Sequence, residues 1–448
     1  MIFKNVLACV GVVGLVGAGV AGAVASDGHG HDSSAGVGTG SVVFVHPDGA
    51  SAATWAAARA LHYGPDGDLN WDALPAIAVY RGHMRDSLTA TSNGGGTSHA
   101  FGVKVDSDAF GRSAGGDRGA DLTDASGRTR GVALRAIEQG IPVGLVQTGI
   151  APEPGTAVFV APNVSRRNYE QIAAQLLESG AAVLFSGGEK HFVPEGVAGV
   201  HGVGERTDGR DLIAEARALG YTVVRTRAQL LALAADTGKV LGLFAHGATF
   251  NAEPEEELAE EGLGLYVPGS PTVAEMTEVA LRVLRHSGKD FLLVVEEEAT
   301  DNFGNKNNAA GVLEAAKRAD DAIGVAQRDL LRHPDTLLIT TADSDAGGMR
   351  MSGIRLDPGE AIPTELPERD RNGSPIDGVH GTGSAPFIAA ADQFGQRHPF
   401  AISWATREDV GGGILVRADG LNSHRVRGSF DNTEIADLIA LTLFGSVD

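Results

Sequence analysis

Six short runs of almost unbroken apolar residues limit what this chain can become. They are "SVVFVH" (41–46), "IPVGLVQT" (141–148), "AAVLFSG" (181–187), "KVLGLFA" (239–245), "DFLLVVE" (290–296) and "DTLLITTA" (335–342). Each has the length of a strand but lacks the alternation of a strand with one wet face, so both faces must be covered. Four helix-length segments lie between and after them, at 167–179, 272–287, 308–332 and 432–445. In the second, Val273, Met276, Ala280, Val283 and Leu284 form one apolar stripe at helical spacing. Doubly covered strands interleaved with amphipathic helices predict an α/β fold: a three-layer α/β/α sandwich around a large, mostly parallel sheet. The polar stretch 357–378 reads as a surface excursion whose acids are solvated.

The start of the chain reads differently. Lys4 is the only charge in residues 1–25, an apolar stretch follows it, and the segment closes on Ala23-Val24-Ala25. This describes a secretory signal peptide and a periplasmic or extracellular destination. A retained anchor is the alternative, because the apolar run approaches spanning length. The single cysteine, Cys9, lies inside this segment, so cleavage leaves a mature chain without thiol, disulfide or cysteine-held metal. Residues 26–40 form a polar, flexible leader, and 41–448 a single domain. The formal net charge of −21 repels nucleic acid and anionic lipid, so neither is an expected partner. An anionic substrate then needs local attraction, from metal ions or a placed arginine.

Ligands of open parallel sheets collect beyond the carboxyl ends of the strands, which makes the residues after each run informative. Asp48 follows the first run. Glu296 closes the fifth, followed by Glu297, Glu298, Asp301 and Asn305, and Asp343, Ser344 and Asp345 follow the sixth. Singly, each is an ordinary cap or turn residue. Converging on one rim, they would repel one another unless cations compensate them. Asp301 and Asn305 share one side of a helical turn, and His380 in "VHGTGSAP" offers a nitrogen. In "TATSNGGGTSHAFGVKV" (89–105), a hydroxyl at the start of a helix with free N–H groups around it suits a phosphoryl oxygen. A nearby metal cluster would lower the pKa of that hydroxyl, and Arg166 would fork onto two phosphoryl oxygens. Together these features describe a phosphoryl-transfer site. His99 and His246 read as structural histidines, and Phe159 and Tyr169 as core.

"VVFVHPDGAS", "TSNGGGTSHAFGVKV", "VSRRNYEQIAAQLLESGAAVLFSGGEKHFVPEG", "PTVAEMTEVALRVL", "FLLVVEEEATDNF", "HPDTLLITTADSDAGG" and "FDNTEIADLI" resemble, in order, segments of the alkaline phosphatases. The resemblance runs from about Ser41 to the C-terminus. It implies a serine nucleophile working with zinc and magnesium ions on an α/β/α sandwich, a small phosphate ester as substrate, and a homodimer of the kind relatives form. By position, Ser92 matches the nucleophile, with Thr91 the neighbouring alternative, and Arg166 the phosphate clamp. Asp48 matches the aspartate shared by the second zinc and the magnesium. Glu296 matches a magnesium ligand, and Glu153 and Thr156 fall near that site's other ligands, the threonine one position off. Asp301 and His380 match ligands of the first zinc, and Asp343 one of the second.

Three departures stand out: Thr91 stands where the family carries an aspartate before the nucleophile, and Asn305 and Ser344 occupy positions where it carries histidine. Oxygen in place of imidazole weakens the preference for zinc and favours calcium, magnesium or manganese; Asp345 or Asn302 is a candidate substitute ligand. The resulting expectation is a secreted, metal-dependent phosphatase that cleaves phosphate monoesters through a phosphoserine at Ser92. A phosphodiesterase of the same superfamily and a non-catalytic phosphate- or metal-binding relative are the alternatives.

Overall fold

A computed structural model describes residues 37–447. The signal peptide read at 1–25 and the leader up to residue 36 lie outside the described residues. The main sheet has ten strands: β1 (Ser41–Pro47), β2 (Ala76–Arg81), β3 (Val143–Ile150), β4 (Val183–Gly187), β5 (Tyr221–Val224), β6 (Lys239–Leu243), β7 (Leu292–Glu297), β8 (Thr336–Thr340), β9 (Leu415–Gly420) and β10 (Arg427–Asp431). Their order across the sheet is β10-β2-β9-β8-β1-β7-β3-β4-β6-β5. All pairings are parallel except those of β9, which runs antiparallel to β8 and β2. The expected large, mostly parallel sheet is therefore present.

All six apolar runs are strands of this sheet, with ends shifted by a residue or two. Every residue of β1, β7 and β8 is buried, as continuous hydrophobicity requires of a strand covered on both faces. The four remaining strands lack such runs. β2 alternates exposed and buried residues over much of its length, β9 carries Arg417 and Asp419, β10 is mostly exposed, and β5 is a short edge strand. The expected helices appear as Tyr169–Glu178, Val273–His286, Ala309–Leu330 and Thr433–Phe444. The stripe Val273, Met276, Ala280, Val283 and Leu284 is buried, and its helix packs on β3 and β7.

A smaller antiparallel sheet, including Arg350–Gly353, Ile376–Gly378 and Pro399–Ser403, lies outside the main one. The surface excursion at 357–378 feeds into it. Most of the excursion is exposed, but Asp377 is not the solvated acid expected there. It is fully buried and takes hydrogen bonds from Trp404 Nε1 and Thr382 Oγ1, because its strand pairs with Pro399–Ser403. Among the described residues, no helix is long and apolar enough to cross a membrane.

The arrangement that positions a site is the centre of the main sheet. β1 has β8 on one side and β7 on the other. The three strands that deliver carboxylates are thus immediate neighbours, and their carboxyl ends form a single rim.

Candidate active site

Strand register assembles the middle of this rim. β1 and β7 run parallel with His46 opposite Glu296 and Pro47 opposite Glu297, while β3 places Gln147 opposite Glu296. Side chains two residues apart on a strand share a face, so His46 and Asp48 point together, as do Glu296 and Glu298. His46 Nδ1 lies 3.4 Å from Glu296 Oε1, and Nε2 lies 3.9 Å from Asp48 Oδ1. Two constellations result, His46–Asp48–Asp343 and Asp48–Glu296–Glu298, in each of which the ligand atoms lie within 4.8 Å of one another.

These groups are buried and largely without partners. Both carboxylate oxygens of Asp48 and of Asp343, one oxygen each of Glu296 and Glu298, and the Ser344 hydroxyl have no hydrogen bond. A buried, unpaired carboxylate is among the costlier features a fold can carry. Burial, reinforced by neighbouring acids, pushes Asp343, Glu298 and Asp301 well above the usual carboxylate range. Glu296 is raised mainly by burial as well. Burial alone would lower the His46 imidazole, but Asp48 and Glu296 outweigh it and raise it. Divalent cations would relieve all these groups together, and the orphaned oxygens are a donor set that fits them.

Glu153 reaches this region from the N-cap of the short helix Pro154–Ala157 and pairs with Arg166 at 2.7 Å. The next residues of that helix are not arranged as the sequence implied. The Thr156 hydroxyl is engaged by Gln147, accepting a hydrogen bond from its Nε2 at 2.6 Å. Gly155 faces the site instead. A Cβ there would come within 1.5 Å of Glu296 Oε1, so only glycine leaves the carboxylate its place.

A second acidic group lies beside the first. Gly49, at φ +69°, lets the chain after Asp48 turn tightly against Asp301. Asn305 Nδ2 donates to both oxygens of Asp301 (3.1 and 3.2 Å) and to Asp409 Oδ1 (2.9 Å), and its own oxygen accepts from the Gly347 N–H. The bridge between Asp409 and Ala346 holds Asp409 in place. His380 is not in this group. It is exposed, forms no ion pair among the described residues, and its backbone N–H donates to Ser384 Oγ. Asp409 therefore stands beside Asp301 and Asn305 where the sequence pointed to His380. Asn302 donates to Glu298, and Asp345 pairs with Arg350.

Gly94, Gly95 and Gly96 are helical. Thr91 is the N-cap of the helix Ser92–Phe101: its hydroxyl accepts from the Gly94 N–H and donates to the Ser107 carbonyl. That commits the Thr91 side chain to capping. Ser92, 7 % exposed, begins the helix, and its hydroxyl and N–H and the N–H of Asn93 have no partner among the described residues. Gly95, one turn on and on the same face, sits against Asp343, which a Cβ would meet at 2.6 Å. The helix start is thereby brought up to the acidic rim. His99 packs edge-on against the His46 ring, centroids 5.4 Å apart, with its Nε2 bonded to Tyr80 Oη at 2.7 Å, and burial holds it well below the usual histidine range. His246 pairs with Glu205 at 3.5 Å.

Sequence reasoning missed His46, Glu298's place in a ligand constellation, Gly155 and Asp409. For His46 and Glu298 the signal was present, since each lies two residues along a strand from a carboxylate already singled out.

A profile of the alkaline phosphatases matches residues 40–444. The chain is 26 % identical to a membrane-bound alkaline phosphatase of Bombyx mori over 89 % of its own length and 79 % of the relative's. It is 28 % identical to the tissue-nonspecific alkaline phosphatase of Rattus norvegicus, over 67 % of its own length and 62 % of the relative's. Among solved structures it superposes on the alkaline phosphatase of Thermus thermophilus with a TM-score of 0.69 and 23 % identity, covering 91 % of this chain and 92 % of that one. The alkaline phosphatase of the Antarctic bacterium TAB5 gives 0.66 and 20 %, covering 90 % and 98 %. The chain belongs to the alkaline phosphatase family.

Proposed function

We propose that this chain is a secreted, divalent-cation-dependent phosphatase that hydrolyses small phosphate monoesters through a phosphoserine at Ser92. The observation that carries the reading is the helix start at Ser92, with a free hydroxyl and free N–H groups, held against a buried and unneutralised carboxylate rim. Divalent cations bound there would draw in the anionic ester and stabilise charge on the entering and leaving oxygens. Asp48, Glu153, Glu296 and Glu298 would hold one, Asp48, Asp343 and Ser344 a second, and Asp301 and Asp409, bracketed by Asn305, a third. The third set has no nitrogen, which fits magnesium, calcium or manganese and does not fit zinc.

Ser92 Oγ bonds to phosphorus as the ester P–O bond breaks and the alcohol departs with a proton. Arg166, kept in place by Glu153, holds two non-bridging oxygens, and the N–H groups of Ser92 and Asn93 offer further donors at the helix N-terminus. A water oxygen then bonds to phosphorus, the Oγ–P bond breaks, Ser92 regains its proton, and inorganic phosphate leaves.

Ser92→Ala should keep the fold and lower kcat on a chromogenic monoester by roughly 10³-fold or more, the scale seen when a covalent nucleophile is removed. Unchanged turnover in that variant would sink the assignment. A second reading, a binder without efficient catalysis, is favoured by the Asp301–Asn305–Asp409 set, which has no imidazole. Assays across zinc, magnesium, calcium, manganese and cobalt separate the two: phosphate binding without turnover in all five supports the binder. Metal analysis that finds two tightly held zinc ions per chain would contradict the preference for hard cations.

A further inference from the structure

We propose that His46 supplies the nitrogen ligand of the cation position formed by Asp48 and Asp343, delivering from strand β1 the imidazole that Ser344 does not provide. The proposal rests on the reading of the rim as a divalent-cation site and adds a ligand to it.

Three observations converge on His46. It is 1 % exposed, and its Nε2 has no hydrogen-bond partner. A polar nitrogen buried to that degree without a partner is uncommon and calls for a missing one. Nε2 lies 3.9 Å from Asp48 Oδ1, beyond hydrogen-bond reach but close enough for both atoms to face one ion. His46, Asp48 and Asp343 each place a ligand atom within 4.8 Å of the others, and both Asp343 oxygens and the Ser344 hydroxyl are orphaned.

The other ring nitrogen explains the orientation. Nδ1 faces Glu296 Oε1 at 3.4 Å, a pairing set by the register that puts His46 opposite Glu296. A histidine that binds a metal commonly donates its second N–H to a carboxylate, which fixes the tautomer and the ring plane. Here Nδ1–H directed at Glu296 leaves the Nε2 lone pair facing Asp48 and Asp343. An imidazolium bridging Asp48 and Glu296 is the rival arrangement. It would bring Nε2 within about 3 Å of Asp48, which the structure does not show.

The test uses the full mature chain loaded with Mn²⁺ and pulsed EPR, which detects a coordinated imidazole nitrogen without any turnover. The expected result is nitrogen modulation that changes on [¹⁵N]histidine labelling, disappears in His46→Gln and persists in His380→Ala. Calorimetric titration should show one Mn²⁺ equivalent bound at least tenfold more weakly by His46→Gln, since losing even a group that only orients a ligand costs about tenfold or more. Mn²⁺ uptake with no histidine coupling in the unsubstituted chain would overturn the ligand assignment and leave the cation-dependent reading standing. Failure to bind Mn²⁺ at all would overturn both. The decisive spectrum is that of the unsubstituted protein, so the outcome does not hinge on the folding of a variant.

Discussion

Glu255 shows how much one buried acid can matter away from the rim. Its Oε1 accepts from the Ala310 N–H at 3.0 Å, at the start of the helix Ala309–Leu330, while Oε2 is orphaned. Burial, with Asp377 nearby, raises its pKa to about 8. In the unfolded chain the same carboxyl ionises near the ordinary value of about 4.3. Between the two values the folded state holds the extra proton, so stability falls as pH rises from the unfolded to the folded pKa, with the full penalty present above it. Glu255→Gln removes that penalty. Relative to the parent, its stability should improve with pH, by roughly 2–4 kcal/mol between pH 5 and pH 9; thermal denaturation curves whose offset stays constant across that range would refute this. Legibility at this scale follows local context. Asp48, Asp301 and Asp343 were readable because each follows an apolar run that must be a strand, and Glu296 because it closes such a run and opens an acidic triplet. His46 also closes a run, but a lone histidine there looked like the strand's last residue. Asp409 was invisible for the opposite reason: "TREDVGGG" has no apolar run, and a two-residue bridge to Asp345–Ala346 places it. A nitrogen in "VHGTGSAP" and a positional match to the family's zinc ligand pointed to His380, which the small sheet holds on the surface.

The helix Ser92–Phe101 is improbable by propensity alone. Gly94, Gly95 and Gly96 each cost about 1 kcal/mol relative to alanine in a helix interior. Packing explains two of them. A Cβ on Gly94 would meet Met84 Cε at 2.8 Å and the Asp106 carbonyl at 3.0 Å, and one on Gly95 would meet Asp343 at 2.6 Å. Gly96 is less confined, with Pro154 and Val158 atoms at 3.3 Å. The two neighbouring substitutions should therefore part company. Gly95→Ala should displace Asp343 and weaken cation binding at least tenfold in calorimetric titration. Gly96→Ala should leave binding within about threefold and shift stability by less than about 1 kcal/mol, the propensity gain offsetting a tight contact. Equal effects from both would mean that Gly95 does not seat the helix on the rim. In sequence the triple glycine was ambiguous between turn and helix, because the feature that rescues the helix is a carboxylate some 250 residues away in the chain.

At the scale of the whole molecule, two kinds of negative charge respond to different ions. Part of the net charge of −21 sits on exposed acids, and monovalent salt screens it, with a Debye length of about 10 Å at 0.1 M. The rim acids are buried, so salt reaches them poorly, whereas a cation that binds only the folded chain stabilises it by about 2.7 kcal/mol at one hundred times its Kd. Chelated protein should accordingly gain thermal stability on addition of Mg²⁺ beyond the gain from NaCl of equal ionic strength. Asp301→Asn makes the comparison sharper. Asp301 lies against Asp409 and is buried, and burial with that neighbour holds its carboxyl well above the usual range. Without cations its charge is a burden, so the variant should melt higher than the parent in chelator. With cations the same carboxylate is a ligand, so the variant should lose part of the Mg²⁺-induced rise and melt lower than the loaded parent. The sign of the effect should thus reverse between the two conditions, by a few degrees each way. A variant less stable than the parent in chelator, or equally raised by Mg²⁺, would show that Asp301 acts as a structural hydrogen-bond acceptor for Asn305 and not as part of a cation site.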